Sequence, residues 1–350
     1  MRKVVEAIKW ADNLLPGHPL SALHGVLWGE LLHLSLDVTS SCNLNCRMCS
    51  LKQWHPPGPN LTEEILTRLD AVFAVVRSVD LFSNCEPLLH PRLPEIIGHI
   101  KRVNSRVRIQ VVTNGTLLTP ELSRALISAG LDSMGFSVDS PRPEVYEAIR
   151  VGARFEQVIQ NIQNFIAIRN EMAEIRPRIA LLVVLSKINQ EDLCKILFLS
   201  AKLGADCVRV NGLEPYTEEM SHQVLYGDGK TGATEVIFDR AKRLARDLGL
   251  EIHLPSLSMR PNGMCILRRC MVDSSGNLYP CAAYAYERPS YWRQKASVHP
   301  RLTFGNVLDR EFMEIWNNQE YREFRGNISS GKFPAPCQMC LIRNGVICPR

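Results

Sequence analysis

Cys42-Asn-Leu-Asn-Cys46-Arg-Met-Cys49 follows the apolar run Leu31 to Val38 almost without a gap. Three thiols at C-x3-C-x2-C on a loop leaving a strand can converge on one metal centre, because so short a loop lets each sulfur turn inward. They supply three ligands. A structural zinc site takes four, and the nearest further candidate, His55, lies beyond Trp54 and just before the Pro56-Pro57 turn. A 4Fe-4S cluster has four corner irons, so three thiolates leave one iron open to a substrate or cofactor. A zinc knuckle completed by His55 or a distant residue is the alternative.

The chain has 350 residues, 45% hydrophobic and 22% charged, the composition of a globular protein with a sizeable core. Its formal charge of +5 comes from 41 basic and 36 acidic residues spread along the sequence. Without a basic block or basic-aromatic interleaving, nucleic acid is not an expected partner. The N-terminus is amphipathic and lacks the apolar core of a signal peptide, and no run approaches about 18 uninterrupted apolar residues. A cytoplasmic protein with no membrane partner is expected, its 12 cysteines reduced and serving as metal ligands or core residues.

Residues 1–30 read as a short helical preface turning at Pro16-Gly17. Strands are expected at 31–38, 78–83, 107–113, 133–138, 179–185 and 206–211, each bounded by turn signals. Between them lie amphipathic helices. One is capped by Thr62 and runs through Ile65, Leu69, Phe73 and Val76, with Leu61 and Leu66 as a hydrophobic staple. Another starts at Thr119-Pro120-Glu121 and stops at Gly130; a third carries Phe155, Val158, Ile162 and Phe165. Six strand-helix units in series predict a parallel sheet curved into an incomplete (βα)6 barrel, with function at the carboxyl ends of the strands. The unusual residues fall there: Cys42 to Cys49 after strand one, Ser83-Asn-Cys-Glu-Pro-Leu-Leu-His-Pro91 after strand two, Thr113-Asn-Gly-Thr116 after strand three, and Phe136-Ser-Val-Asp-Ser-Pro141 after strand four.

With these motifs the chain resembles the radical S-adenosylmethionine (SAM) enzymes, in which Cys42, Cys46 and Cys49 match the signature. The resemblance implies a SAM-binding 4Fe-4S cluster whose open iron chelates the amino and carboxylate groups of SAM. One electron then yields methionine and a 5'-deoxyadenosyl radical that abstracts hydrogen from a substrate C–H bond. It implies Met48 beside the adenine, Glu86 on the SAM amino group, Asn114 and Ser137 on the ribose side, and Arg150 on the carboxylate. Residue by residue, Glu86 otherwise reads as a helix cap, Asn114 as an Asn-Gly turn, Ser137 as a strand end and Arg150 as a solvated cation. The chain departs from the family in having Asn84-Cys85 where two glycines are usual, which makes Cys85 a small buried filler or a thiol near the chemistry.

Cys194 and Cys207 read as core residues. The stretch from Asn211 to Ala233 reads as a lid or a mobile linker, with Tyr216, Glu218, Glu219 and His222 as possible substrate contacts. A strand around Glu251 to Leu254 ends the barrel region (31–254), and Pro255 to Gly263 reads as a boundary.

Half of the cysteines, Cys265, Cys270, Cys281, Cys337, Cys340 and Cys348, lie in the last quarter of the chain. A hairpin would bring Cys265 and Cys281 together, and Cys337-Gln-Met-Cys340 adds two thiols on a tight turn, a set that suits an iron-sulfur cluster or a zinc ribbon. Gly276 to Cys281, Phe304-Gly-Asn-Val307, Glu314-Ile-Trp316 and the closing C-x2-C resemble the SPASM/twitch extension of radical SAM enzymes. Residues 255–350 are thus expected to form a small cysteine-rich α+β extension. Its cysteines lack the C-x5-C-x3-C continuation, so the resemblance implies one auxiliary 4Fe-4S cluster on Cys265, Cys281, Cys337 and Cys340. Cys270 could replace Cys265, and Cys348 is a spare thiol or a ligand of a partial site.

The expected activity is an oxidoreductase-type radical SAM reaction, a dehydrogenation or epimerisation, with a flavodoxin or ferredoxin as low-potential electron donor. About 30 residues before strand one leave no room for a leader-peptide-binding wing, which favours a small polar metabolite such as a sugar, aminocyclitol or nucleoside. A peptide or protein substrate is the alternative within the family, and a zinc-stabilised, non-catalytic binding protein the alternative outside it. No cobalamin-binding region is evident.

Overall fold

A computed structural model describes residues 31–50, 58–82, 85–227, 232–258, 267–292, 295–338, 340–341 and 345–346. The expected N-terminal preface, His55, Ser83-Asn84, Cys265 and Cys348 lie outside the described residues.

All six expected strands form: β1 (His33–Leu36), β2 (Ser78–Asp80), β3 (Arg108–Thr113), β4 (Ser133–Ser137), β5 (Arg178–Leu185) and β6 (Cys207–Gly212). A seventh, β7 (Glu251–His253), follows, and β1 to β7 pair in parallel in chain order. Parallel neighbours need a crossover between them, supplied by helices such as Leu93–Val103, Pro120–Ser128, Phe155–Glu171 and Leu193–Leu203. Thr119 caps its helix through a bond from Leu122 N to Oγ1 at 3.2 Å.

The helix expected from Thr62 to Val76 is broken. Glu63–Arg68 ends at Leu69, whose backbone (φ −92, ψ 0) leaves the helical region, and Asp70–Phe73 begins a new turn. The break buries Leu69, Val72 and Phe73 together and sets Asp70 Oδ1 2.6 Å from His99 Nε2 on the next helix.

The C-terminal residues continue the barrel's own sheet. β8 (Arg269–Val272) pairs in parallel with the free edge of β1, β9 (Asn277–Tyr279) returns antiparallel to β8, and β12 (Gly305–Asn306) is antiparallel to β9. The expected hairpin is therefore present, turned by Gly276 at φ +86. The ten-stranded sheet runs β12-β9-β8-β1-β2-β3-β4-β5-β6-β7 and stays open, while β10 (Arg288–Trp292) and β11 (Lys295–His299) form a separate antiparallel pair. Among the described residues no helix is long and apolar enough to cross a membrane.

The core lies between the sheet and its helices. The strands pack closely at Gly135, where an added Cβ would crowd Leu182 Cδ1 on β5 and Val112 Cγ2 on β3. Next to it, fully buried Phe136 meets Phe165 edge-on at 5.7 Å. Phe136→Ala should therefore lower stability by about 3–5 kcal/mol through lost burial and a residual cavity. The measurement is the thermal midpoint by far-UV circular dichroism, and an unchanged midpoint would show that this layer does not hold β4 in place.

Candidate active site

The cysteine loop is held on either side of its middle cysteine, Cys46. Asn45 N donates to Val151 O and Arg47 N to Ile149 O, each at 2.9 Å, so the loop hangs from the segment that ends the Pro143–Ile149 helix. Cys49 N closes a turn on Cys46 O at 3.2 Å. Around this loop opens a cavity of about 260 Å³, and all eight expected residues line it: Cys42, Cys46, Cys49, Met48, Glu86, Asn114, Ser137 and Arg150. Seven come from four successive strand ends, and Arg150 from the end of the Pro143–Ile149 helix.

Glu86 is buried and its carboxylate accepts three bonds: from Thr113 Oγ1 at 2.6 Å, Asn114 N at 2.7 Å and Leu88 N at 3.1 Å. Burial raises its pKa in spite of these bonds. A carboxylate offers about four acceptor sites, so roughly one remains for a donor entering the cavity. The Asn114 side chain is committed elsewhere: Nδ2 donates to Asn43 Oδ1 at 2.9 Å, and Oδ1 accepts from Thr116 N and Oγ1 at 2.9 and 2.7 Å. It braces the cysteine loop as well as facing the cavity.

Arg150 donates from Nε to the buried Asp139 Oδ2 at 2.7 Å, and its Nη1 lies 3.9 Å from Cys46 Sγ. Burial works against its charge, but Asp139 and Cys46 outweigh it, and the guanidinium stays protonated. Burial also pushes the Cys46 thiol up to about 11, against the pull of Arg150. Beside Cys49, the buried Ser50 Oγ has no hydrogen-bond partner among the described residues and belongs to the same cavity lining. An unmatched hydroxyl, a carboxylate with a free acceptor site and a buried guanidinium fit a ligand carrying both ammonium and carboxylate groups. Among the described residues no three His, Cys, Asp or Glu side chains are arranged to hold a single metal ion. Thiolates spread round a cavity mouth suit a polynuclear cluster, where each binds its own iron.

Cys85 also lines the cavity, half-buried, with Sγ 4.0 Å from Asp37 Oδ1. Of the two expectations for Cys85, its partial exposure on the cavity wall departs from a fully buried filler. Asp37 is fully buried at the end of β1 and accepts from Tyr286 OH at 3.0 Å. Burial, with Asp273 adding and Tyr286 opposing, moves its carboxyl from 3.8 to about 8.

In the stretch after β6, expected as a lid or a linker, Leu213, Tyr216 and Tyr226 are buried, whereas residues 217–225 are exposed or half-buried. Tyr216 and Glu214 form one wall of the cavity. Behind them Arg288 donates to Glu214 Oε1 at 2.9 Å and to Tyr216 OH at 3.0 Å. Glu219 lines an adjoining cavity of about 380 Å³ that shares Met48 and Val184 with the first, whereas Glu218 and His222 line neither. Sequence reasoning missed Glu214 and Arg288, which belong to no motif and are separated by 74 positions.

Of the C-terminal thiols, Cys281 and Cys337 pack together with Tyr284 and Ile328, and Tyr284 OH lies 3.3 Å from Cys337 Sγ. Cys340 follows on a turn, its N bonded to Cys337 O at 3.4 Å. Cys270 does not join them, because β8 points it into the main core beneath Arg325, where burial raises its thiol pKa strongly. Cys207 is buried and Cys194 packs against the core, as expected.

Two family models match the chain: the radical SAM superfamily over residues 36–199 and an iron-sulfur cluster-binding domain, SPASM, over residues 265–341. The chain belongs to the radical SAM superfamily. Its cofactors are accordingly SAM, a SAM-binding 4Fe-4S cluster and an auxiliary 4Fe-4S cluster. It is similar to the tungsten-containing aldehyde ferredoxin oxidoreductase cofactor-modifying protein of Pyrococcus furiosus, 27% identical over 319 residues covering 89% of this chain and 88% of that one. It is similar also to the AdoMet-dependent heme synthase of Methanosarcina barkeri, 25% identical over 347 residues, 89% and 91% of the two chains. Among solved structures, Streptococcus suis SuiB bound to precursor peptide SuiA shares the fold with a TM-score of 0.66 at 13% identity, covering 95% of this radical SAM enzyme and 77% of SuiB.

The raised Asp37 carboxyl makes the stability of the fold depend on pH. Ionising it inside the fold is unfavourable, so its contribution to stability falls as pH rises from 3.8 towards about 8 and is constant above that. Asp37→Asn should therefore gain stability over the native chain progressively between those limits. Thermal midpoints of both proteins from pH 5 to pH 9 measure the difference, and a pH-independent gap would contradict it.

Proposed function

We propose that this radical SAM enzyme carries out an oxidoreductase-type modification, a dehydrogenation or epimerisation, of a small polar metabolite such as a sugar, aminocyclitol or nucleoside. The observation that carries the reading is the gathering of the three cysteines and five SAM-contact candidates on one cavity, one charged layer away from the C-terminal thiols. Cys42, Cys46 and Cys49 hold the SAM-binding cluster; Cys281, Cys337 and Cys340, with Cys265 as the fourth ligand, hold the auxiliary one. When bound, the cluster and SAM together supply a 5'-deoxyadenosyl radical that removes hydrogen from a substrate C–H bond.

The residues of the chain bind and orient. Glu86 accepts from the SAM ammonium through its remaining acceptor site. Arg150, its Nε occupied by Asp139, turns its terminal nitrogens to the carboxylate. Ser137 and Asn114 face the ribose, and Met48 packs beside the adenine. Glu214 and Asn211 give the substrate side hydrogen-bonding character, which suits hydroxyl- and amine-bearing molecules. The names of the two relatives aligned along 89% of the chain, a heme synthase and a cofactor-modifying protein, support a small molecule over a peptide. A flavodoxin or ferredoxin supplies the electron, and the domain limits are taken as 1–30, 31–254 and 255–350.

Iron and acid-labile sulfide should count about eight per chain after anaerobic reconstitution and about four in a Cys42/Cys46/Cys49→Ala variant. Zinc in place of iron in both would remove the enzymatic reading, and conversion of a peptide but no sugar, aminocyclitol or nucleoside would reverse the substrate class. Glu86→Gln should weaken SAM binding about 10- to 100-fold, the range of a lost charge-assisted hydrogen bond. Anaerobic equilibrium dialysis measures it, and an unchanged affinity would take Glu86 off the SAM amino group.

A further inference from the structure

The wall between the cavity and the C-terminal thiols contains a buried cation. Arg288, first residue of β10, is 6% exposed. Besides its bonds to Glu214 and Tyr216, its guanidinium lies 5.1 Å from the centre of the Tyr216 ring, and Tyr216 OH donates to Glu214 Oε2 at 2.7 Å. The three side chains form a closed set whose outer members face the cavity. On its other side Arg288 pairs across the hairpin with His299, whose ring stands edge-on to Tyr284 at 6.0 Å, and the Tyr284 hydroxyl reaches Cys337. The field of Arg288 reaches the thiols of Cys281 and Cys340, and Tyr216 is within electrostatic reach of Cys49.

We propose that Arg288 is a redox-positioning residue: its buried charge sets the potential of the auxiliary cluster, and Glu214, on the cavity wall, sets how much of that charge the cluster feels. This rests on the auxiliary-cluster part of the proposed function. A thiolate-bound cluster becomes one unit more negative when it takes up an electron, and a cation held in a low-dielectric layer favours that state. The Glu214 carboxylate opposes it. His299 adds no charge of its own, because burial and Arg288 both lower its pKa. Removal of either charged partner should thus move the potential in opposite directions, which a general loosening of the fold would not do.

The test is a potentiometric titration of the full-length, reconstituted protein followed by electron paramagnetic resonance. The auxiliary signal is the one that SAM does not perturb and that survives in the full-length Cys42/Cys46/Cys49→Ala variant. Arg288→Gln should lower its midpoint potential, Glu214→Gln should raise it, and Arg288→Lys should stay near the native value. Unmoved potentials, or shifts of the same sign in the two Gln variants, overturn the inference while leaving the proposed function standing. If Arg288→Gln fails to assemble the cluster, Glu214→Gln decides alone: an upward shift supports the inference and any other result overturns it. Absence of an auxiliary signal from the triple-alanine variant overturns the two-cluster reading and this inference with it.

Discussion

The ion pair between Asp139 and Arg150 is the constraint on which the cavity depends. Asp139 is fully buried just beyond β4; its Oδ1 accepts from Val184 N on β5 at 2.8 Å and its carbonyl from Asn189 Nδ2 at 2.8 Å. Arg150 ends the Pro143–Ile149 helix and carries the other half of the pair to Cys46. Two strand ends, one helix and the cysteine loop thus meet at one carboxylate. A buried pair of this kind is weak evidence for stability, since desolvating two charges offsets most of their attraction, but loss of one partner strands the other in a medium that cannot solvate it. Its effect is on geometry: the residues flanking Arg150 offer the carbonyls of Ile149 and Val151 that suspend the cysteine loop.

Around that node the buried charges differ in how they are satisfied. Glu86 is surrounded by two backbone N–H groups and a threonine hydroxyl, a shell that leaves roughly one lone pair toward the cavity. Asp37, only a few positions before the cysteine loop, has Tyr286 as its main donor and is pushed to about 8. Arg288 is satisfied by Glu214 and Tyr216 and so can lie inside the protein as a permanent charge between two groups of thiols. One barrel mouth therefore holds a carboxylate ready to accept, a carboxyl kept neutral at pH 7 and two fixed guanidinium groups.

Much of this was legible along the chain. Parallel strands covered on both faces read as short apolar runs, and all six were found. The chemistry-bearing residues of the first four strand ends belong to local motifs, so their placement followed once the strand ends were known to share one face of the sheet. Thr62 and Thr119 marked true helix starts, because an N-cap acts within one turn of itself. The break at Leu69 was invisible, because it serves a packing that involves His99 on another helix.

The elements, the side of the sheet on which the motifs gather and the cysteines of the first loop can be read along the chain, because all are carried by residues within a few positions of one another. Which distant segments meet is set by the folded packing. β8 adds to β1 across more than two hundred positions, making the cysteine-rich extension part of the barrel's sheet and sending Cys270 into the core, away from Cys281. Arg288 finds Glu214 and Tyr216 because the β10–β11 pair lies against the turn after β6, where Tyr291 N bonds to Pro215 O at 3.0 Å. Charge pairing of this kind has no periodicity and no spacing; it depends on which surfaces the fold presses together, and burial then makes each partner necessary to the other.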